Sequence, residues 1–167
     1  MVLNQTGPRS VLRISKLTDY ATVLLAHLAG DGAGQRTAVE LAEWSKIGLP
    51  TVSKVLKELQ RGGLVTSTRG ARGGYSLARS ADTISAADIL DAVEGPLGLT
   101  ECSIHPGQCD LESGCRVGRS WQRVNVAIHR ALADVSLTDL ANADAVVPEL
   151  IVRLSPRIAV RARPEHA

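Results

Sequence analysis

The stretch "TAVELAEWSKIGLPTVSKVLKELQRGG", Thr37 to Gly63, constrains the fold more than any other part of the chain. Thr37 and Glu40 form a T-x-x-E capping box, which starts a short helix by satisfying free backbone N–H groups reciprocally. Val39, Leu41, Ala42 and Trp44 supply its apolar surface. "KIGL" is a tight turn containing Gly48. Pro50 then stands at a helix start, where its missing N–H costs nothing. Val52, Val55, Leu56 and Leu59 recur at i, i+3, i+4 and i+7, so one face of this second helix is buried. Thr51, Ser53, Lys54 and Lys57 fall on the other face, and Gly62 or Gly63 ends the helix. Two helices about a turn with glycine match a helix-turn-helix.

The next segment extends the pattern. "LVTSTRGARGGYSLA" is β-branched and apolar around "GARGG", which reads as a hairpin whose glycine-rich tip carries Arg69 and Arg72. A recognition helix followed by a basic hairpin is a winged helix-turn-helix. The tip has neither G-x-x-x-x-G-K-[ST] nor G-x-G-x-x-G, which argues against a phosphate loop. No nucleophile-elbow or metal-hydrolase motif occurs elsewhere, so no enzyme is expected.

Charge is distributed to suit the same reading. The chain carries only +2 overall. From Trp44 to Asp82, seven cations (Lys46, Lys54, Lys57, Arg61, Arg69, Arg72, Arg79) stand against Glu58 and Asp82, a local +5. A basic segment within an otherwise acidic chain fits a polyanion site, although a solvated basic face has the same composition.

The remaining segments are helical. "LTDYATVLLAHLAG" predicts a first helix, capped by Thr18, with Tyr20, Val23, Leu24 and His27/Leu28 at helical spacing and Gly30 as its end. Ser85 and Asp88 box "ISAADILDAVEGP", with Ile84 placed to staple onto Ile89. A long helix is expected from Arg116 to about Val135, with a near-heptad stripe of Val117, Trp121, Val124, Ile128, Ala131/Leu132 and Val135 for its own domain or a second subunit. "SLTDLA" is a short closing helix. With no Phe, two Tyr and two Trp, the core must be built from Leu, Val, Ile and Ala. The expected fold is mainly α with a small β-hairpin wing, a winged helix-turn-helix plus a long dimerisation helix. The expected organisation is a flexible arm over 1–11, a DNA-binding head over 12–82, the capped helix, cysteine loop and dimerisation helix over 83–141, and a tail over 142–167. No signal-length or membrane-length apolar run is seen, so a soluble, cytoplasmic protein with no membrane partner is expected.

All three cysteines fall in "ECSIHPGQCDLESGC", with six and then five residues between them. An odd number of thiols in a reducing compartment argues against disulfides. Buried structural thiols are unexpected in a loop this polar. A redox dithiol would favour C-x-x-C, which is absent. Zinc favours ligand pairs spaced two to four residues apart. An iron–sulfur cluster suits thiolates spread along a loop, with a non-cysteine fourth ligand. These readings stay open on the residues alone.

The order of elements narrows them. "LRISKLTDYA", the "GLVTSTRGARGGYSL" wing, the capped helix, the three-cysteine loop, the long helix and "SLTDL" together resemble the bacterial iron–sulfur transcription regulators of the IscR and NsrR type, from Leu12 to about Leu140. The segment "SGCRVGRSWQRVNVAIHRALADVSLTDLA" is most similar to the branch that regulates the Suf cluster-assembly operon. The resemblance implies a homodimer on a double-stranded DNA operator, a [4Fe–4S] or [2Fe–2S] cluster on Cys102, Cys109 and Cys115, and control of cluster-assembly genes as a repressor or an activator. It also implies base or phosphate contacts from Thr51, Ser53, Lys54 and Lys57, and wing contacts from Arg69 and Arg72. The first cysteine gap is six residues where the family commonly has five. IscR-like chains have a histidine three residues after the third cysteine, where this chain has Gly118. Asp19 stands where NsrR-like chains use an aspartate donated by the second subunit; His105 in the loop is its main rival, with Glu101 and Glu112 behind. Pro50 and Ser53 also differ from IscR-like recognition helices, so a different operator is expected. The alternative class is an iron–sulfur or zinc protein, an electron carrier or assembly scaffold without DNA binding, which leaves the basic helix and wing unused.

Overall fold

Helical periodicity without large aromatics produces a core of interlocking aliphatic helices in the computed structural model, which describes residues 14–30, 34–70, 73–100, 115 and 117–142. The first helix, α1, is Lys16–Ala29, with Ala21, Leu24, Leu25 and Leu28 buried. Its N-cap is Ser15, whose hydroxyl accepts from the Leu17 and Thr18 N–H groups at 3.1 and 3.3 Å. The sequence pattern places the cap at Thr18. That side chain is instead only 3% exposed and donates its hydroxyl proton to the Glu94 carboxylate at 2.5 Å. The buried stripe is also rotated from the predicted one, leaving Tyr20 and Val23 half-buried.

The Thr37–Glu40 box caps α2, Ala38–Ser45, as expected. Only Leu41 is buried there; Val39 and Trp44 are about half exposed. Trp44 finds its partner across the helix pair, stacking on the His27 ring at 3.8 Å between centroids and 18°. Burial, and secondarily the nearby Arg36 charge, hold the His27 pKa below its ordinary value. Lys46 makes the turn in the left-handed region, φ 59°.

The next helix, α3, spans Leu49–Arg61, with Pro50 in its first turn and Val52, Val55, Leu56 and Leu59 fully buried, as the spacing predicts. The hairpin comes after it as β1, Val65–Thr68, antiparallel to β2, Gly74–Leu77, in the register Val65↔Leu77 to Thr68↔Gly74. Arg36 adds an isolated bridge to Tyr75 on the outer side of β2, through N···O contacts of 2.9 and 2.7 Å. The sequence pattern makes that segment only a turn.

A 3₁₀ turn at Ala81–Thr83 leads into α4, Ala86–Glu94, boxed by Ser85 and Asp88 as expected. Ile84 and Ile89 are both buried in the core. The long helix, α5, is Gly118–Ala133, starting two residues after the expected Arg116. The closing helix, α6, is Leu137–Ala141, with an unforeseen box between Ser136 and Asp139. Backbone bonds Ala86 N–H to Val135 O (2.8 Å) and Leu137 N–H to Ile84 O (2.7 Å) tie the starts of α4 and α6 together. Leu137 therefore joins the same core as α1 and α3.

The end of α3 lies hard against α4. A Cβ on Gly62 would sit 2.5 Å from the Ala92 Cβ, although the Gly62 backbone itself (φ −74°) suits any residue. Gly62→Ala should therefore cost about 1–3 kcal/mol by overpacking. Adding Ala92→Gly should recover part of it, giving a favourable interaction energy in a double-mutant cycle of denaturant melts. Additive costs would mean that the two backbones do not meet there.

Candidate nucleic-acid interface

The exposed side of α3 is set by what its other side buries. With Val52, Val55, Leu56 and Leu59 inward, Lys54 and Lys57 project into solvent and Thr51 and Ser53 lie half-buried beside them. Gly48 caps the helix without a side chain, and its first turn holds no acidic residue. The helix dipole makes that end electropositive.

Not every cation of the basic segment is available. Arg61 pairs with Glu58 at 2.9 Å. Arg79 pairs at 2.8 Å with Asp88, the carboxylate that also boxes α4. Burial pushes the Asp88 pKa up, but the Ser85 hydrogen bonds and Arg79 more than offset it, and the net direction is downward. Lys46, Lys54, Lys57 and Arg69 enter no ion pair among the described residues. The unneutralised charge is thus concentrated on the α2–α3 turn, the outer face of α3 and the wing. Arg72 lies outside the described residues.

The wing is held against α3 rather than left free. Leu64 and Val65 are buried at its root, and Ala78 N–H bonds the Leu64 carbonyl at 3.0 Å. Gln60, on α3, donates to the Ser67 hydroxyl of β1 at 3.0 Å. Thr66 and Ser76 share a cross-strand hydrogen bond of 3.1 Å. On the other edge, Gly74 packs flush on Arg36: a Cβ at Gly74 would lie 2.8 Å from the Arg36 carbonyl oxygen. Arg69 is therefore carried, exposed, on a hairpin braced by α3 on one side and by the entry to α2 on the other. Arg36 is the residue that sequence reasoning misses. A single bridged residue has no periodicity, so no local signal marks it.

The cysteine side is described only in part. Cys102, Cys109, His105, Glu101 and Glu112 lie outside the described residues. Cys115 is a free, partly exposed thiol three residues before the α5 start. A Cβ at Gly118 would lie 3.5 Å from its sulfur, so this glycine leaves open the space next to the thiol. That free, accessible thiol has the donor chemistry an iron–sulfur cluster requires. Asp19 is exposed in the first turn of α1. Among the described residues no three His, Cys, Asp or Glu side chains gather as a metal-holding group.

The chain entering the cysteine segment is tied to α1, and α5 beyond it is tied back to α4 and Leu97. Glu94 accepts from Thr18, and hydrogen bonds from Ser15 and Thr18 hold its carboxyl below the usual range. Asn125 of α5 donates to the Leu97 carbonyl at 2.8 Å, and His129 meets Asp91 of α4 at 3.2 Å. The apolar stripe is not consumed by these contacts. Val117, Trp121 and Val124 are 59%, 46% and 42% exposed, while Ile128 and Leu132 are half-buried. No described helix is long and apolar enough to cross a membrane.

Known proteins share this arrangement. The Rrf2 family, described as iron-dependent transcriptional regulators, matches residues 14–143. Protein rrf2 of Nitratidesulfovibrio vulgaris is 27% identical over 146 residues, covering 87% of this chain and 97% of the relative. CymR, the global cysteine regulator of B. subtilis, superposes with a TM-score of 0.57 at 29% identity, over 78% of this chain and 96% of that one. IscR of T. potens superposes with a TM-score of 0.54 at 29% identity, over 77% and 85%. A helix-turn-helix with free surface cations, a braced wing and a family match across nearly all of the described fold make this chain a member of the Rrf2 family of winged-helix, DNA-binding transcription regulators.

Proposed function

We propose that this regulator binds a two-fold DNA operator as a homodimer and reports iron–sulfur status through a cluster. The observation that carries the DNA half is the pairing-off of charge: Arg61 and Arg79 are ion-paired at the surface with Glu58 and Asp88, while Lys54, Lys57 and Arg69 have no such partner among the described residues. The head, residues 12–82, presents α3 to the major groove, with Thr51, Ser53, Lys54 and Lys57 near bases and phosphates. Arg69, with Arg72, enters the minor groove or meets its phosphates. Residues 83–141 carry the cluster loop and the dimer helix, whose exposed stripe of Val117, Trp121 and Val124 suits a second copy of itself. The segments 1–11 and 142–167 flank these as arm and tail.

Cys102, Cys109 and Cys115 would hold the cluster, [4Fe–4S] or [2Fe–2S]. Such a group supplies an oxidisable, labile iron centre, and this chain supplies thiolates and one weaker ligand. Gly118 removes the local histidine of IscR-like chains, which favours Asp19 from the second subunit as that ligand, ahead of His105. The family's description as iron-dependent and the likeness to T. potens IscR support an iron-linked signal, while control of cluster-assembly genes, with the Suf operon as the finer assignment, rests on the resemblance of the segment from Ser113 to Ala141. The likeness to CymR supports a second reading, a regulator answering to thiol or cysteine status without a cluster.

The interface is tested at the wing. Arg69→Ala should weaken operator binding by about 1–3 kcal/mol at matched salt, if the guanidinium makes a groove contact. The measurement is a fluorescence-anisotropy titration across salt concentrations. Parent-like affinity at every salt concentration would remove the wing from the interface.

A further inference from the structure

Arg36 stands outside the basic segment and outside every predicted element, yet the fold gives it a defined place. Its backbone pairs with Tyr75 of β2, which in turn pairs with Ser67 of β1. Residues directly opposite one another across antiparallel strands project to the same face. Arg36, Tyr75 and Ser67 therefore form one row, and the Ser67 end of it is fixed to α3 through Gln60. Arg36 ends the row about 10 Å from β1, two strand spacings away. It also directly precedes Thr37, the N-cap of α2.

The Arg36 side chain is partly buried in the row of Tyr75, which packs against the core, and its guanidinium makes no hydrogen bond or ion pair among the described residues. Strand pairing is done by the Arg36 backbone, and Gly74 is kept small by the Arg36 carbonyl rather than its guanidinium. Among the described residues the guanidinium makes no ion pair, although His27 and Glu40 both feel its charge. Of these two neighbours, His27 has its pKa lowered and so resists becoming a second cation. Arg36 is thus a permanent charge, partly exposed, rigidly tied to the wing and to the start of α2.

We infer that Arg36 is a third DNA contact, a phosphate-binding residue that seats the head beside the groove entered by the wing. The inference rests on the α3-and-wing reading of the interface. A minor groove is about 6 Å wide, so a cation about 10 Å to the side of a wing seated in it lies over the flanking phosphate backbone. Such a contact is blind to sequence, and its signature is counterion release.

The test uses the full chain and a fluorescent 40-base-pair duplex of mixed sequence, titrated over a range of salt concentrations. Arg36→Ala should reduce the slope of log K against log salt by about 0.9 per bound protomer. Arg36→Lys should retain the parent slope, because any cation displaces a counterion. Circular dichroism melts verify that both variants keep the fold, which the backbone pairing maintains. Arg69→Ala is run alongside. A parent-like slope for Arg36→Ala with a reduced slope for Arg69→Ala overturns the Arg36 contact alone. Parent-like slopes for both overturn the interface reading on which it rests. A lowered slope for Arg36→Lys as well overturns the charge argument and makes Arg36 a packing residue.

Discussion

Anaerobically purified protein carrying Cys115→Ala should be colourless, while the parent absorbs in the visible. Thiolates are the ligands that hold iron–sulfur clusters, and a carboxylate with two thiols does not replace three. The effect should be complete rather than graded. It should also be separable from folding. Cys115 is partly exposed and takes no part in the aliphatic core, so its loss removes no buried contact. The far-ultraviolet circular dichroism of the variant should match the parent. Cys102→Ala and Cys109→Ala should behave alike. A variant that keeps its full iron and sulfide content without one of these thiols would exclude that cysteine as a ligand.

Leu56→Ala should have the opposite profile. Leu56 is fully buried, on the face of α3 that also carries Val52, Val55 and Leu59. Truncating such a side chain costs the lost transfer energy plus a cavity, about 2–5 kcal/mol. A domain of ordinary stability has about 5–15 kcal/mol to lose, so the variant should melt far below the parent. Lys57→Ala, one residue away but exposed, should change stability by no more than about 0.5 kcal/mol while weakening DNA binding. Urea melts and salt-matched titrations on the two variants separate the two faces of one helix. Similar melting midpoints for both would mean that α3 does not pack by this face.

These two substitutions also mark how far the sequence can be read. The α3 face is legible because its burial obeys one local period, and the Thr37–Glu40 and Ser85–Asp88 boxes are legible because each closes within three residues. The hairpin follows from β-branched runs about a glycine-rich tip. Ser136–Asp139 carries the same S-x-x-D signal and goes unread. The other misses are non-local. Thr18 has the right chemistry for a cap, but its hydroxyl is claimed by Glu94, far along the chain. Trp44 reads as core because it is apolar, whereas His27 of another helix fixes it at the surface. Arg36 and Leu137 take their places from partners on distant segments, Tyr75 and Ile84. For the candidate site, the seven cations are visible from sequence, and the Arg61–Glu58 pair is local, at i and i+3. The pairing of Arg79 is not legible, because Asp88 lies outside the basic segment and meets Arg79 only in the fold. The three cysteines are legible as a cluster of thiols, but their proposed role as ligands comes from the family resemblance rather than from spacing, and of the three the structure describes Cys115.

The proposed link between DNA binding and the cysteine segment has a packed path. The end of α3 abuts α4 at Gly62 and Ala92, and α4 ends at Glu94, with residues 95–100 between it and the cysteine segment. Coupling of this kind is a free-energy difference between two states, commonly about 1–3 kcal/mol or 5- to 150-fold in affinity. The most direct test is DNA affinity at one salt concentration for anaerobic protein before and after chemical removal of its chromophore. A visible chromophore is expected, with an affinity change of at least about 5-fold on its loss. A protein that binds DNA equally well with and without the chromophore, or that binds DNA and never holds one, would contradict cluster sensing.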